Sequence, residues 1–109
     1  MIITAIEAKK IANEFNAINR ARAREFAQNE LEAYLAPRIE KAAKEGAYRI
    51  SYFWKRAVFQ EMQIMPIDFE DALIELVKNL GYSIEAEELK QMGIIQEVRV
   101  VISWGKTDE

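Results

Sequence analysis

The sequence predicts an α+β protein in which a long N-terminal helix and a second helix pack on a small three-stranded sheet. Three features predict this class: apolar residues at helical spacing through the first forty-odd positions, a second such run over residues 68–80, and strand-like alternation in three other segments. A chain of 109 residues has the length of one domain, so we expect residues 1–109 to form a single domain.

The first predicted helix begins at Thr4, because Thr4-Ala5-Ile6-Glu7 forms a capping box that satisfies amide donors of the first turn. Its first half carries an apolar stripe at helical steps of about 100° per residue, and Arg22 falls inside that stripe. The apolar members of the stripe are Ile11, Phe15, Ile18 and Phe26.

A second apolar stripe follows on the same helix, rotated by about half a turn from the first. It consists of Leu31, Leu35, Ile39 and Ala42. One straight helix cannot bury both stripes against one surface. Either the helix is kinked or broken within residues 28–37, where Pro37 cannot donate a backbone hydrogen bond, or it runs on and contacts two partners. Gly46 then ends the helix as a C-terminal cap.

We interpret residues 1–28 as a helical arm and residues from about 30 to 45 as the part that packs on the sheet. A monomer would expose the arm's apolar stripe, so we expect a homo-oligomer that buries it. The expected interface residues are Ile11, Phe15, Ile18, Arg22 and Phe26. The alternative is that the chain turns near Asn29 and the arm folds back onto its own body.

Residues 47–54 alternate as a strand, whereas residues 55–65 allow an irregular loop, a short helix or a further strand. The second helix begins with Asp68 as its N-cap and ends at Gly81. Strands follow at residues 83–87 and 98–104, and residues 88–96 form a loop or a loose hairpin extension. This order predicts a small mixed sheet, in which a βαβ crossover joins the first two strands and a hairpin joins the last two.

The composition excludes several classes of site. The chain has no cysteine and no histidine, which excludes disulfides, thiolate nucleophiles, the usual zinc sites and Ser-His catalysis. No apolar run approaches the roughly 20 residues that a membrane-spanning helix needs, and no secretion signal opens the chain. We therefore expect a cytoplasmic protein that is not an enzyme, has no catalytic residues, holds no cofactor or metal and does not bind a membrane.

Charge is distributed unevenly along the chain. Residues 1–60 carry eleven Lys and Arg against seven Asp and Glu, a net charge of +4, whereas residues 61–109 carry four against eleven, a net charge of −7. This split favours complementary contacts between copies of the chain, or a basic face that binds an anion, over general binding of nucleic acid.

Two basic clusters are candidate ligand-binding sites. A helical run of alternating arginines could converge on a phosphate or carboxylate in an oligomer, and aromatic residues next to cations suit a nucleotide-like ligand. The candidates are Arg20, Arg22, Arg24, Tyr52, Trp54, Lys55 and Arg56. The alternative is a solvated charged face and aromatic side chains that belong to the core. The carboxylates of residues 68–75 are explained by helix capping and the helix dipole rather than by acid–base catalysis.

Four segments of the chain resemble a loosely defined group of small uncharacterised bacteriophage and prophage proteins. They are residues 4–8 (TAIEA), 43–51 (AKEGAYRIS), 76–84 (LVKNLGYSI) and 102–104 (ISW). The resemblance implies an α+β fold that ends in an Ile-Ser-Trp strand, and it supplies no catalytic residues. The arm and the stretch 53–65 are longer than the pattern requires.

The resemblance and the basic and aromatic cluster together predict a homo-oligomeric phage accessory protein of the host cytoplasm. We expect it to bind and sequester a host-defence protein or a nucleotide-like signal. The alternatives are a structural or assembly component of a virion and, less favoured because the chain is acidic overall, a nucleic-acid-binding protein.

Overall fold

The computed structural model describes residues 2–105, and it confirms the predicted α+β class with a long N-terminal helix and a three-stranded sheet. The elements in chain order are α1 (Ala5–Glu30), a π-helical segment (Leu31–Leu35), α2 (Ala36–Lys44), β1 (Arg49–Lys55), α3 (Arg56–Met62), α4 (Pro66–Asn79), β2 (Ser83–Gln91) and β3 (Ile94–Ser103).

The first helix is continuous from Ala5 to Lys44, so the chain does not break near residue 29. Thr4 is the N-cap, as predicted, and its hydroxyl oxygen accepts a hydrogen bond from the Glu7 amide at 3.1 Å. The side chains of residues 2–18 are all exposed, whereas Ala23 and Ala27 are fully buried. The projecting part of the helix, which we call the arm from here on, is therefore residues 2–18. The predicted arm, residues 1–28, also contains the buried Ala23 and Ala27, and its first residue lies outside the described residues.

The π-helical segment is the predicted irregularity, and Pro37 explains its position. Proline has no amide hydrogen, and its ring would clash with the carbonyl of Ala33 in a regular α-helix. The turn ahead of Pro37 widens instead, and the Ala36 amide donates to the Leu31 carbonyl five residues earlier. The wider turn suits apolar residues spaced by four, and it keeps Leu35 and Ile39 buried on the same side as Leu31.

Both long helical stretches end at a glycine, as predicted. Gly46 has a φ of +86°, and its amide donates to Ala43 while the next amide, of Ala47, donates to Ala42. This pair of bonds is a Schellman motif, which requires the left-handed conformation at the glycine. Gly81, with a φ of +93°, ends α4 in the same way.

The start of α4 differs from the prediction. Pro66 lies in the first turn and Met65 is the N-cap, so the assignment of Asp68 as the N-cap is wrong. A proline suits the first turn because the amide it lacks has no partner there in any case. Asp68 lies in the first turn of α4, where its charge complements the helix dipole.

The ambiguous stretch 55–65 contains a short helix, α3, one of the three alternatives left open. It ends at Gln63, whose φ of 56° and ψ of 44° place a non-glycine residue in the left-handed region. Phe59 is the buried residue of this helix.

The sheet has the strand order β1-β3-β2, and every neighbouring pair is antiparallel. The predicted mixed sheet is therefore wrong, because β3 lies between the two strands that the crossover joins. β3 is the central strand and buries Val98, Val100 and Ile102. Within residues 2–105, β1 and β2 each leave one edge without a strand neighbour.

The hairpin between β2 and β3 is longer and tighter than predicted. The strands extend through most of residues 88–96 and leave only Met92 and Gly93 as the turn. Both residues have positive φ, at 53° and 78°, as a type I′ turn requires.

Phe69 is the hub of the core and is fully buried. Its ring centroid lies 5.4 Å from that of Phe26, 4.7 Å from that of Trp54 and 5.2 Å from that of Phe59. These four rings come from α1, β1, α3 and α4, so one aromatic cluster joins four elements. Phe26 was predicted to lie in an interface between copies, but its ring packs in the core of its own chain.

Within residues 2–105, no helix is both long and apolar enough to cross a membrane.

Candidate functional site

The predicted ligand-binding residues lie in three separate places. Tyr52, Trp54 and Lys55 line a groove beside β1. Arg22 and Arg56 line a second groove beside the arm. The two remaining arginines, Arg20 and Arg24, face α4. The structure thus does not bring the arginine run together with the aromatic strand.

The first groove, which we call the edge groove, has a volume of about 1070 Å³ and runs along β1. Its lining comes from both faces of that strand: Tyr52 and Trp54 point towards the helices, whereas Ser51 and Phe53 lie on the exposed face. Residues from opposite faces can line one groove only where it follows the edge of the strand. The edge groove therefore follows the outer edge of β1, which pairs with no strand of the described residues 2–105.

Trp54 forms part of the floor of the edge groove and is only 3% exposed. Its indole N–H donates to Oε1 of Glu30 at 2.8 Å, which joins β1 to the end of α1. A buried indole needs such an acceptor, because an unpaired buried donor costs about 1–3 kcal/mol. Trp54 is therefore an anchor of the fold, which agrees with the core alternative for this residue.

Tyr52 also lines the edge groove and contacts a cation. The guanidinium of Arg38 sits 5.1 Å from the centre of the Tyr52 ring, within the range of a cation–π contact. Tyr34 lies one helical turn before Arg38 and is more than half exposed. The helical side of the groove thus presents the phenol of Tyr34, the guanidinium of Arg38 and the carboxylates of Glu30 and Glu61. The exposed side presents Phe53 and Lys55.

The second groove, which we call the arm groove, has a volume of about 980 Å³ and is largely apolar. Phe15, Ile18 and Arg22 form its wall on α1, Phe59 and Arg56 contribute from α3, and the tip of the β2–β3 hairpin closes it. The two grooves share no lining residue, because α3 lies between them.

No family model, curated protein or solved structure matches this chain. The predicted link to phage proteins thus stays a prediction, and the two grooves must be interpreted from their own chemistry.

The apolar stripe of the arm is exposed along its whole length. Ile11 is 57%, Phe15 64% and Ile18 59% exposed, although large aliphatic and aromatic side chains are usually buried. The arm therefore does not fold back onto its own body. The predicted interface residue Arg22 is also exposed and lines the arm groove together with Arg56.

The arginines that face α4 have an intramolecular explanation. The guanidinium of Arg24 lies 3.3 Å from the carboxylate of Glu75, and Arg20 lines the same shallow cleft as Asp68 and Asp71. The basic side of α1 thus packs against the acidic side of α4. The ion pair is half exposed and contributes at most about 1 kcal/mol, so its main effect is to align the two helices.

One acidic pair lies away from both grooves and joins α4 to β2. Oε2 of Glu70 is buried and accepts no hydrogen bond. The pKa of Glu70 is raised from 4.5 to about 7: burial is the largest cause, a hydrogen bond to Glu88 and the charges of Glu88 and Asp71 act in the same direction, and Lys90 opposes them. Two carboxylates are both acceptors, so they can bond only when one carries a proton. The pair is a proton-dependent contact.

Several residues of the edge groove were not predicted. Tyr34 and Arg38 are four residues apart on one helix, a spacing that brings side chains together and could have revealed them. Glu30 gave no signal, because nothing in the pattern pairs it with a tryptophan 24 positions later. Among residues 2–105, no group of three or more acidic side chains is placed to hold a metal ion.

Proposed function

We propose that this protein is a non-enzymatic binding protein that self-associates through its arm and sequesters a protein partner in the cytoplasm. The observation that carries the proposal is the exposure of Ile11, Phe15 and Ile18 on a helix that projects from the body. The radius of gyration is 17.0 Å, against about 13 Å for a compact chain of this length, which reflects that projection.

A second copy of the chain is the occupant that best fits the exposed stripe. The helical part of the arm, residues 5–18, is about 21 Å long, and an isolated helix of this length is only marginally stable in water. Each copy carries both an apolar helix and an apolar groove beside it, so a two-fold axis lets each arm fill the groove of the other. Self-association would bury the stripe and stabilise the arm at the same time.

The sequestering role rests on the edge groove and on the resemblance to phage proteins. A host-defence protein is the partner we favour, and a nucleotide-like signal is the alternative. A structural role in a virion is a second candidate, favoured by the elongated shape of 64 × 30 × 24 Å. Nucleic acid fits less well, because Arg24, Arg38 and Arg99 already contact Glu75, Tyr52 and Glu97.

The molar mass in solution tests self-association. Light scattering of the full chain should give at least twice the monomer mass of 12.6 kDa. The double substitution Ile11→Glu plus Phe15→Glu should give the monomer mass and should still unfold cooperatively, because both side chains are exposed and contribute nothing to the core.

A matched control places the same charges on the opposite side of the arm. Asn13→Glu plus Ala17→Glu has the same spacing of four residues, is equally exposed and should keep the wild-type mass. A wild-type chain that stays monomeric at about 100 times the protein concentration used in the peptide titration described below would overturn the proposed self-association. So would a double variant at 11 and 15 whose mass equals that of the wild type.

A further inference from the structure

We propose that the open edge of β1 binds an extended segment of the partner protein as a fourth strand of the sheet, and that apolar and acidic residues alternate in this segment. The inference rests on the proposed binding function, but not on self-association through the arm.

The backbone of β1 is arranged to receive such a strand. The Trp104 amide donates to the Tyr48 carbonyl at 3.0 Å, so these two residues form a hydrogen-bonded antiparallel pair at the end of β1. Hydrogen-bonded and non-hydrogen-bonded pairs alternate along an antiparallel ladder. The next hydrogen-bonded pairs are therefore those of Ile50, Tyr52 and Trp54 with β3.

The intervening residues of β1 direct their N–H and C=O groups away from β3. They are Arg49, Ser51, Phe53 and Lys55. All four are exposed, and three of them line the edge groove, so the space beside these backbone groups is open. Unpaired edge groups of this kind are what an added strand binds.

The side chains around the edge select the chemistry of the strand. Successive residues of an added strand point alternately to the two faces of the sheet. On the helical face they would meet Tyr34 and Tyr52, which favour apolar residues. On the exposed face they would lie next to Arg49 and Lys55, neither of which forms an ion pair within residues 2–105.

Charge also argues against a second copy of β1 as the occupant. If two copies of β1 paired antiparallel about Tyr52, Arg49 of each copy would lie directly opposite Lys55 of the other copy. Like charges directly opposite each other destabilise a sheet. Acidic residues at those two positions of a partner strand would instead form two favourable cross-strand pairs.

A defined peptide tests the proposal. The probe is a ten-residue peptide in which valine and glutamate alternate, titrated into the full chain and followed by amide hydrogen exchange measured by NMR. The amides of Ser51, Phe53 and Lys55 should gain protection, whereas those of Tyr52 and Trp54 are already bonded to β3 and should change little. The same peptide with N-methyl groups on its glutamates should not bind, because the glutamates lie opposite Arg49 and Lys55 and their amides are the ones that bond to β1.

Charge reversal tests the proposed selectivity. Arg49→Glu plus Lys55→Glu should weaken binding of the peptide roughly tenfold and favour a valine-lysine peptide instead. Lys44→Glu plus Lys78→Glu makes the same change of net charge away from the edge groove and should leave the affinity within about twofold. Both pairs are exposed, so folding should persist.

Three results would overturn the inference. The first is that a peptide with all valines before all glutamates binds as tightly as the alternating peptide. The second is that the peptide protects other amides from hydrogen exchange but not those of β1. The third is that, without peptide, protection of the β1 amides rises with protein concentration. The titration is repeated on the Ile11→Glu plus Phe15→Glu variant. Peptide binding by a monomeric wild type would remove only the proposed self-association, and an oligomer that binds no peptide would remove only this inference.

Discussion

Replacing Glu70 by glutamine should make the protein more stable at high pH and leave it unchanged at low pH. The folded state raises the pKa of Glu70 from 4.5 to about 7, so it holds the proton more tightly than the unfolded chain does. The stabilisation from this proton is complete below about pH 4.5 and is lost as the pH rises through 7. With no screening by solvent, this pKa shift would correspond to about 3 kcal/mol in the free energy of unfolding. Because Glu70 is only half-buried, we expect about 1 kcal/mol after solvent screening.

The assay is urea unfolding of the wild type and of Glu70→Gln from pH 4.5 to 8.5. The free energy of unfolding of the variant should match that of the wild type at pH 4.5 and exceed it by about 1 kcal/mol at pH 8. The reason is that the side-chain amide of the glutamine donates an N–H to Glu88 at every pH, whereas Glu70 can donate only when it is protonated. Glu85→Gln removes the same charge from the exposed side of β2 and reports the effect of net charge alone. A constant difference between wild type and Glu70→Gln across this range would refute the reasoning.

Three further substitutions test the fold. Trp54→Phe removes the donor to Glu30 and should lower the free energy of unfolding by about 1–2 kcal/mol, measured by urea unfolding. Met92→Asn places a residue that tolerates positive φ in the type I′ turn. It should raise the free energy of unfolding by about 0.5–1 kcal/mol, which is measured as a higher melting temperature. Phe69→Leu keeps an apolar side chain but loses three aromatic contacts, and calorimetry should show a loss of about 1–3 kcal/mol. An unchanged transition in any of these variants would contradict the corresponding contact.

The parts of the fold that could be predicted are those with local causes. The cap at Thr4 and the stops at Gly46 and Gly81 depend only on neighbouring backbone groups, so the sequence signal was sufficient. The apolar stripe at Ile11, Phe15 and Ile18 also followed from spacing alone, but spacing left open whether the stripe is exposed or folds back onto the body. The wide turn before Pro37 was predicted as an irregularity, but its form depends on the body that the helix must follow.

The parts that were missed depend on distant contacts. Alternation predicts a strand equally well in a parallel or an antiparallel sheet, so β3 could not be placed between its neighbours. The turn at Met92 gave no signal, because methionine is not a turn residue. In the candidate site, arginines two positions apart on a helix point in nearly opposite directions, so Arg22 was separated from Arg20 and Arg24. Arg38 reached the edge groove only through tertiary packing.

The position of α3 between the two grooves has a consequence for any assembly of this chain. The proposed contacts through the arm would leave the edge of β1 open on every copy, because the two grooves share no lining residue, and a pair of copies would then be bivalent. A target that displays two suitable segments could then be held by avidity, which exceeds single-site affinity by about 100-fold or more when the spacing matches. Weak binding at each β1 edge would then be enough to hold the target, and the target would be released when the two copies separate.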